Sequence, residues 1–143
     1  MSDIEKAIEL LENSDASIVL VKGESIIQKK GRGISCLMQM IQEHTDLSGY
    51  SCADKVVGKA AAMLMDYASI SDIYAEVISE TAIDYLNEEK IRYAYGTAVK
   101  TIMNDAKTDM CPMEKTVVDI HDPALALKEL NITMMRLRGQ SKE

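Results

Sequence analysis

Ser51-Cys52-Ala53-Asp54-Lys55-Val56-Val57-Gly58-Lys59-Ala60-Ala61-Ala62-Met63-Leu64-Met65 is the stretch on which the fold turns. Tyr50 to Ala53 reads as a short strand, Asp54 as a helix cap, and the residues to about Ala68 as a helix. Val57, Ala60, Ala61, Leu64 and Ala68 make its buried stripe, and Gly58 with the alanine run permits close approach to a sheet. Lys55 and Lys59, four apart, then share a face near the helix N-terminus, where they oppose the macrodipole. Two readings stay open: an anion held by free N–H groups and two ammonium groups, or an ordinary helix with snorkelling lysines. Gly58-Lys59 lacks the earlier glycine and the following Ser or Thr of a Walker loop.

Working outward, Ser17 to Lys22 and Ser25 to Lys29 are β-branched runs joined at Gly23-Glu24, which predicts a hairpin. Before it, Ile4, Ala7, Ile8 and Leu11 recur at helical spacing over Asp3 to Asn13. After it, Gly31-Arg32-Gly33 breaks the pattern, and Ile34, Leu37, Met38 and Ile41 predict a helix to about His44. Downstream of the central helix come a strand, Ile73 to Ile78, a helix opened by Ser79-Glu80 to about Glu89, and a strand, Ile91 to Tyr95. Strand–helix alternation of this kind signals a parallel sheet with helices on its faces. Ala98 to Met103 reads as about a turn of helix, and Asn104 to Asp109 as loop. Pro112 and Pro123 each suit the first position of a short helix, the second ending near Leu130. One domain over residues 1–131 with a polar, partly disordered tail at 132–143 is the expected organisation.

The core lacks Phe and Trp, so ten Met, the aliphatic residues and six Tyr must fill it. A formal net charge of −7 disfavours non-specific binding to nucleic acid and to anionic membrane surfaces. The longest apolar run, Ala60 to Met65, is far short of a membrane span, and Met1 to Glu12 has no signal-peptide core. A cytoplasmic location follows as the expectation, with Cys36, Cys52 and Cys111 as reduced thiols. Neither C-x-x-C nor H-x-x-x-H occurs, so no metal and no cofactor are expected. His44 and His121 read as surface or cap residues, and no G-x-S-x-G or G-x-G-x-x-G is present.

Cys111 precedes Pro112, so its thiol would sit at a helix cap, where the positive helix end favours thiolate. The bland counterpart is a small buried residue before a proline. Glu114, three residues on, could reach back to it as in a capping box. Arg32, between two glycines, could aim a guanidinium at an anion, or the glycines could simply release the chain from the hairpin. Glu80 follows a strand end, where open α/β sheets place ligands, with helix capping as its ordinary role.

Ala53-Asp54-Lys55-Val56-Val57-Gly58-Lys59-Ala60-Ala61, Val77-Ile78-Ser79-Glu80, Tyr95-Gly96 and Met110-Cys111-Pro112-Met113-Glu114 together resemble the domain of unknown function 1893 family. The resemblance runs from the first helix to Leu130 and implies a cytidine-deaminase-like fold: a three-layer α/β/α sandwich around a mixed five-stranded sheet. Zinc deaminases carry H-x-E or C-x-E on the helix after the hairpin and P-C-x-x-C at the helix after the third strand. Gly33-Ile34-Ser35-Cys36 and Ala53-Asp54-Lys55-Val56-Val57 are read into those places here, so the zinc-binding set is absent and hydrolytic deamination by that route is rejected. The expectation is a small anionic ligand, nucleotide-like among the candidates, bound where deaminases keep zinc, with metal-independent catalysis as an added capacity. Asp54, Lys55 and Cys111 are the candidate catalytic residues, and Arg32, Lys59, Glu80 and Glu114 the candidate ligand-binding residues. The alternative is a non-enzymatic sensor or interaction module, and homo-oligomerisation through a helix face or sheet edge is a further expectation.

Overall fold

The structure, a computed structural model, describes residues 1–141, with side chains through residue 139. In chain order the elements are α1 (Asp3–Glu12), β1 (Ile18–Lys22), β2 (Ser25–Lys29), α2 (Ser35–Gln42), β3 (Ser51–Val57), α3 (Lys59–Tyr67), β4 (Asp72–Ser79), α4 (Glu80–Glu88), β5 (Arg92–Val99), α5 (Pro112–Val117) and α6 (Pro123–Ser141). The five strands form one mixed sheet in the order β2-β1-β3-β4-β5. β1 is antiparallel to both β2 and β3, while β3, β4 and β5 are parallel. Sheet and helices make the three-layer α/β/α sandwich expected from the sequence.

Local chemistry explains most boundaries. Ser2 and Glu5 form a reciprocal capping box at α1. Gly23, at φ +60°, turns the hairpin, and the Ser79 hydroxyl caps α4 by accepting the Ala82 N–H at 3.1 Å. α1 covers one face of the sheet, packing Ala7 and Leu11 on Val19, Val21 and Ala53. The larger core lies on the other face, where α3 contributes the continuous buried run Ala60 to Met65. α6 packs on α3 and α5, burying Ala126 and Leu130.

Three expectations need correction. β3 does not stop at Ala53: Asp54 to Val57 continue it, and Val56 and Val57 pair with Val77 and Ile78 of β4. β-branched residues in a sheet centre outweigh the cap propensity of an aspartate. α3 therefore begins at Lys59 with Gly58 as its cap, and Lys55 shares no helix face with Lys59. β5 runs on to Val99, because Thr97, Ala98 and Val99 find partners in β4, so Ala98 is strand and not helix. Beyond it the chain forms an isolated antiparallel bridge, Met103 to Met110. The last helix passes Leu130 and reaches Ser141. Its apolar spacing persists: Thr133 is buried, and Met134 and Leu137 pack on the main core. The Thr133 and Thr116 hydroxyls, 2.7 Å apart, join α6 to α5. The part of the expected tail at residues 142–143 lies outside the described residues.

Candidate functional site

α3 has Gly58 as its N-cap and so no side-chain cap of its own. Glu114 of α5 supplies one. Its Oε1 accepts the Lys59 N–H at 2.8 Å and its Oε2 accepts the Ala60 N–H at 3.0 Å. The carboxylate thus occupies the anion position that the free helix end would offer. Glu114 is 7% exposed, and burial raises its pKa against the opposing effect of the two N–H donors and the Lys59 charge. Gly58 is required by this contact, since a Cβ there would lie 2.5 Å from the Glu114 carboxyl carbon. The capping-box reading of Glu114 is corrected accordingly: the residue reaches across to another helix, and no side chain caps α5.

Beside this junction lies a cavity of about 320 Å³. Lys59, Thr81 and Thr101 line it, each two residues beyond the C-terminal end of a parallel strand, β3, β4 and β5 respectively. Tyr85, Met110 and Val118 provide apolar wall, while Asp84, Glu88, Glu114 and His121 complete the lining. The Tyr85 hydroxyl donates to Asp66 Oδ2 at 2.5 Å, and burial, then Asp66, raises its pKa. Lys59 Nζ donates to the Val118 carbonyl at 3.2 Å. Thr81, Thr101 and Tyr85 are not singled out by the sequence, and His121, read there as a surface or cap residue, lines the cavity. The signal that identifies the first two is the common offset from strand ends, which appears only once β3 and β5 are given their full length.

Of the residues expected in a site, Lys59 and Glu114 meet at this cavity. Asp54 and Lys55 are strand neighbours, so their side chains project to opposite faces of the sheet. Asp54 is 7% exposed, and its Oδ1 accepts the Val56 N–H at a long 3.4 Å. Burial pushes its pKa up to about 7; the nearby Glu76 charge adds to the rise, and the Val56 and Lys55 N–H groups oppose it. Cys36 and Cys52 both feel the Asp54 charge, after burial, as a rise in their own pKa. Lys55 is half-buried, and its N–H donates to the Ser17 carbonyl at 3.1 Å. Arg32 is exposed and paired with Asp105 of the 104–109 loop. Cys111 is half-buried against the main core, and its N–H donates to the Ile102 carbonyl at 2.9 Å. Glu80 is the exposed first residue of α4. None of Arg32, Asp54, Lys55, Glu80 and Cys111 lines the cavity.

The helix start implied to hold Ala53 to Val57 in place of P-C-x-x-C in fact carries Gly58-Lys59-Ala60-Ala61, which also lacks cysteine. Among the described residues no group of three or more His, Cys, Asp or Glu is placed to hold a metal ion, and no helix is long and apolar enough to cross a membrane.

No curated protein matches the sequence. Among solved structures, a DUF1893 family protein (TM1506) from Thermotoga maritima matches with a TM-score of 0.81 and 28% identity, over 88% of this chain and 86% of that one. A diaminohydroxyphosphoribosylaminopyrimidine deaminase/5-amino-6-(5-phosphoribosylamino)uracil reductase from Thermotoga maritima is only slightly similar, with a TM-score of 0.40 and 14% identity over 81% of this chain and 40% of that one. The family model described as domain of unknown function DUF1893 matches residues 6–134, and the chain belongs to that family.

Proposed function

We propose that this protein binds a small organic ligand in the cavity between α3, α4 and the 101–121 segment. One observation carries the reading: the residues two beyond the ends of three adjacent parallel strands line a single cavity of about 320 Å³. Open α/β sheets hold ligands outside the carboxyl ends of their strands, and small-molecule sites begin at about 300 Å³. The lining favours an uncharged or amine-bearing heteroaromatic of about nucleobase size. Tyr85, Met110 and Val118 suit a flat apolar body, and Thr81 and Thr101 supply hydroxyls. Asp84, Glu88 and Glu114 outnumber Lys59, which disfavours phosphate, and Glu114 already fills the helix end on which the expectation of an anionic ligand rested. Binding without turnover is favoured over catalysis because Asp54, Lys55 and Cys111 lie outside the cavity lining.

Thermal denaturation against a panel of nucleobases, nucleosides, aromatic amines and nucleotides tests this reading. A ligand at a hundred times its dissociation constant stabilises the fold by about 2.7 kcal/mol, which a melting curve resolves. The expected result is a rise in Tm with uncharged or amine-bearing compounds that is lost in Val118→Trp, a bulky replacement at a half-exposed wall position. Stabilisation confined to phosphate-bearing compounds, or equal in wild type and Val118→Trp, overturns it.

A further inference from the structure

We propose that the ligand of this cavity is a planar aromatic cation, an amidine or guanidine whose charged edge is held by Asp84 and Glu88; this rests on the cavity being a ligand site, as proposed above. Thr81, Asp84, Tyr85 and Glu88 recur at i, i+3, i+4 and i+7, so one face of α4 makes a wall of the cavity. The whole lining sets three carboxylates against one ammonium and one imidazole, those of Lys59 and His121. Several of its polar groups are already engaged. Glu114 accepts two N–H groups of α3, Lys59 Nζ donates to the Val118 carbonyl, and the Tyr85 hydroxyl donates to Asp66. Asp84 and Glu88 differ: among the described residues neither carboxylate accepts a hydrogen bond or pairs with a cation. Both are solvent-exposed, on the open side of the lining, whereas Tyr85 between them is buried.

The fold itself gains nothing from these two charges. Glu80, Asp84 and Glu88 follow one another at i+4, and like charges so spaced destabilise a helix. Glu88 also sits in the last turn of α4, where the macrodipole favours a cation, and that turn holds no basic residue. A helix shaped for stability alone would carry Lys or Arg at 84 or 88, paired with the acid one turn before it. A bound cation supplies the missing partner from outside the chain. Its flat body suits Tyr85, Met110 and Val118, and the Tyr85 ring adds cation–π attraction. Its N–H edge suits two carboxylates on successive turns, whose Cβ atoms lie about 5–6 Å apart. Amidinium and guanidinium groups are planar and bond carboxylates through parallel N–H groups, which selects them over a simple ammonium.

Titration calorimetry on the full chain with benzamidine and benzamide, which share a shape and differ in charge, tests this proposal. Wild type is expected to bind benzamidine at least about tenfold more tightly than benzamide. The double variant Asp84→Asn with Glu88→Gln is expected to lose that preference by weakening benzamidine alone, and Val118→Trp to abolish binding of both. Equal affinity for the two compounds, a preference that survives the double variant, or benzamidine binding untouched by Val118→Trp overturns the proposal. Should the double variant fail to fold, the wild type decides through salt: benzamidine affinity is expected to fall as ionic strength rises while benzamide affinity holds, and parallel curves reject the charge pairing. Binding of neither compound also overturns the cationic assignment. A neutral nucleobase that binds wild type and is lost in Val118→Trp then still upholds the cavity as a ligand site, so the two readings fail separately.

Discussion

Glu114 and Asp54 are both carboxylates at 7% exposure, yet they are held in opposite ways. Glu114 accepts two backbone N–H groups at 2.8 and 3.0 Å and feels the positive charge of Lys59. Asp54 accepts the Val56 N–H at a long 3.4 Å and, though the Val56 and Lys55 N–H groups favour its charged form, feels the negative charge of Glu76. Burial raises both pKa values, but the rise at Asp54 is large enough to bring it to about 7. Burial is the largest influence on both, and the difference shows how far well-placed partners offset it.

The contrast is broken most directly at Asp54. In the unfolded chain this acid ionises near pH 3.8, whereas in the folded chain it keeps its proton to about pH 7. Between those values the unfolded state binds fewer protons, so the group removes stability as pH rises through the window, and the loss levels off above pH 7. Its size is up to about 4 kcal/mol. Asp54→Asn is therefore expected to flatten the stability–pH curve between about pH 4 and 7 and to raise stability at pH 8, as read by urea denaturation. A variant with the wild-type slope removes the distinction between the two acids.

Glu114→Ala is expected to act with the opposite sign. Two N–H groups at the start of α3, one buried and one partly buried, lose their acceptor, at a cost of about 3 kcal/mol. Thermal or urea denaturation measures it, and a loss under about 1 kcal/mol would show water replacing the carboxylate. Gly58→Ala sharpens the point with a smaller effect, about 2 kcal/mol, because its new Cβ would crowd the Glu114 carboxyl. In the Glu114→Ala background that cost should largely vanish, so a double-mutant cycle reads the contact itself. The smallest change is expected from Arg32→Ala. Arg32 and Asp105 are 80% and 83% exposed in their side chains, and such pairs contribute under about 0.5 kcal/mol.

The same two acids explain what could be read from the sequence. The hairpin, the Ser79 cap and the Pro112 start all rest on signals within a few residues, and each is found where those signals place it. Asp54 misled because an aspartate between a strand-like run and a helix-like run has the local signature of a cap. Only its pairing with β1 and β4 reveals a strand. Glu114 misled because its partners lie more than fifty residues away, where no local pattern reaches. Lys59 and Glu114, singled out by helix-end chemistry, both line the cavity. Thr81, Thr101, Tyr85 and His121 come together only through the packing of separate elements.

The cap that Glu114 gives to α3 also imposes an order in time. A nascent chain grown as far as Cys111 already contains all five strands and the whole of α3. It lacks the acceptor for the Lys59 and Ala60 N–H groups, and it lacks Ala126 and Leu130, which complete the core through α6. Such long-range closure must wait for the loop entropy of more than fifty residues to be overcome. During synthesis, then, the sheet precedes the means of sealing it, and the segment beyond Cys111 closes a fold that the chain before it can only outline.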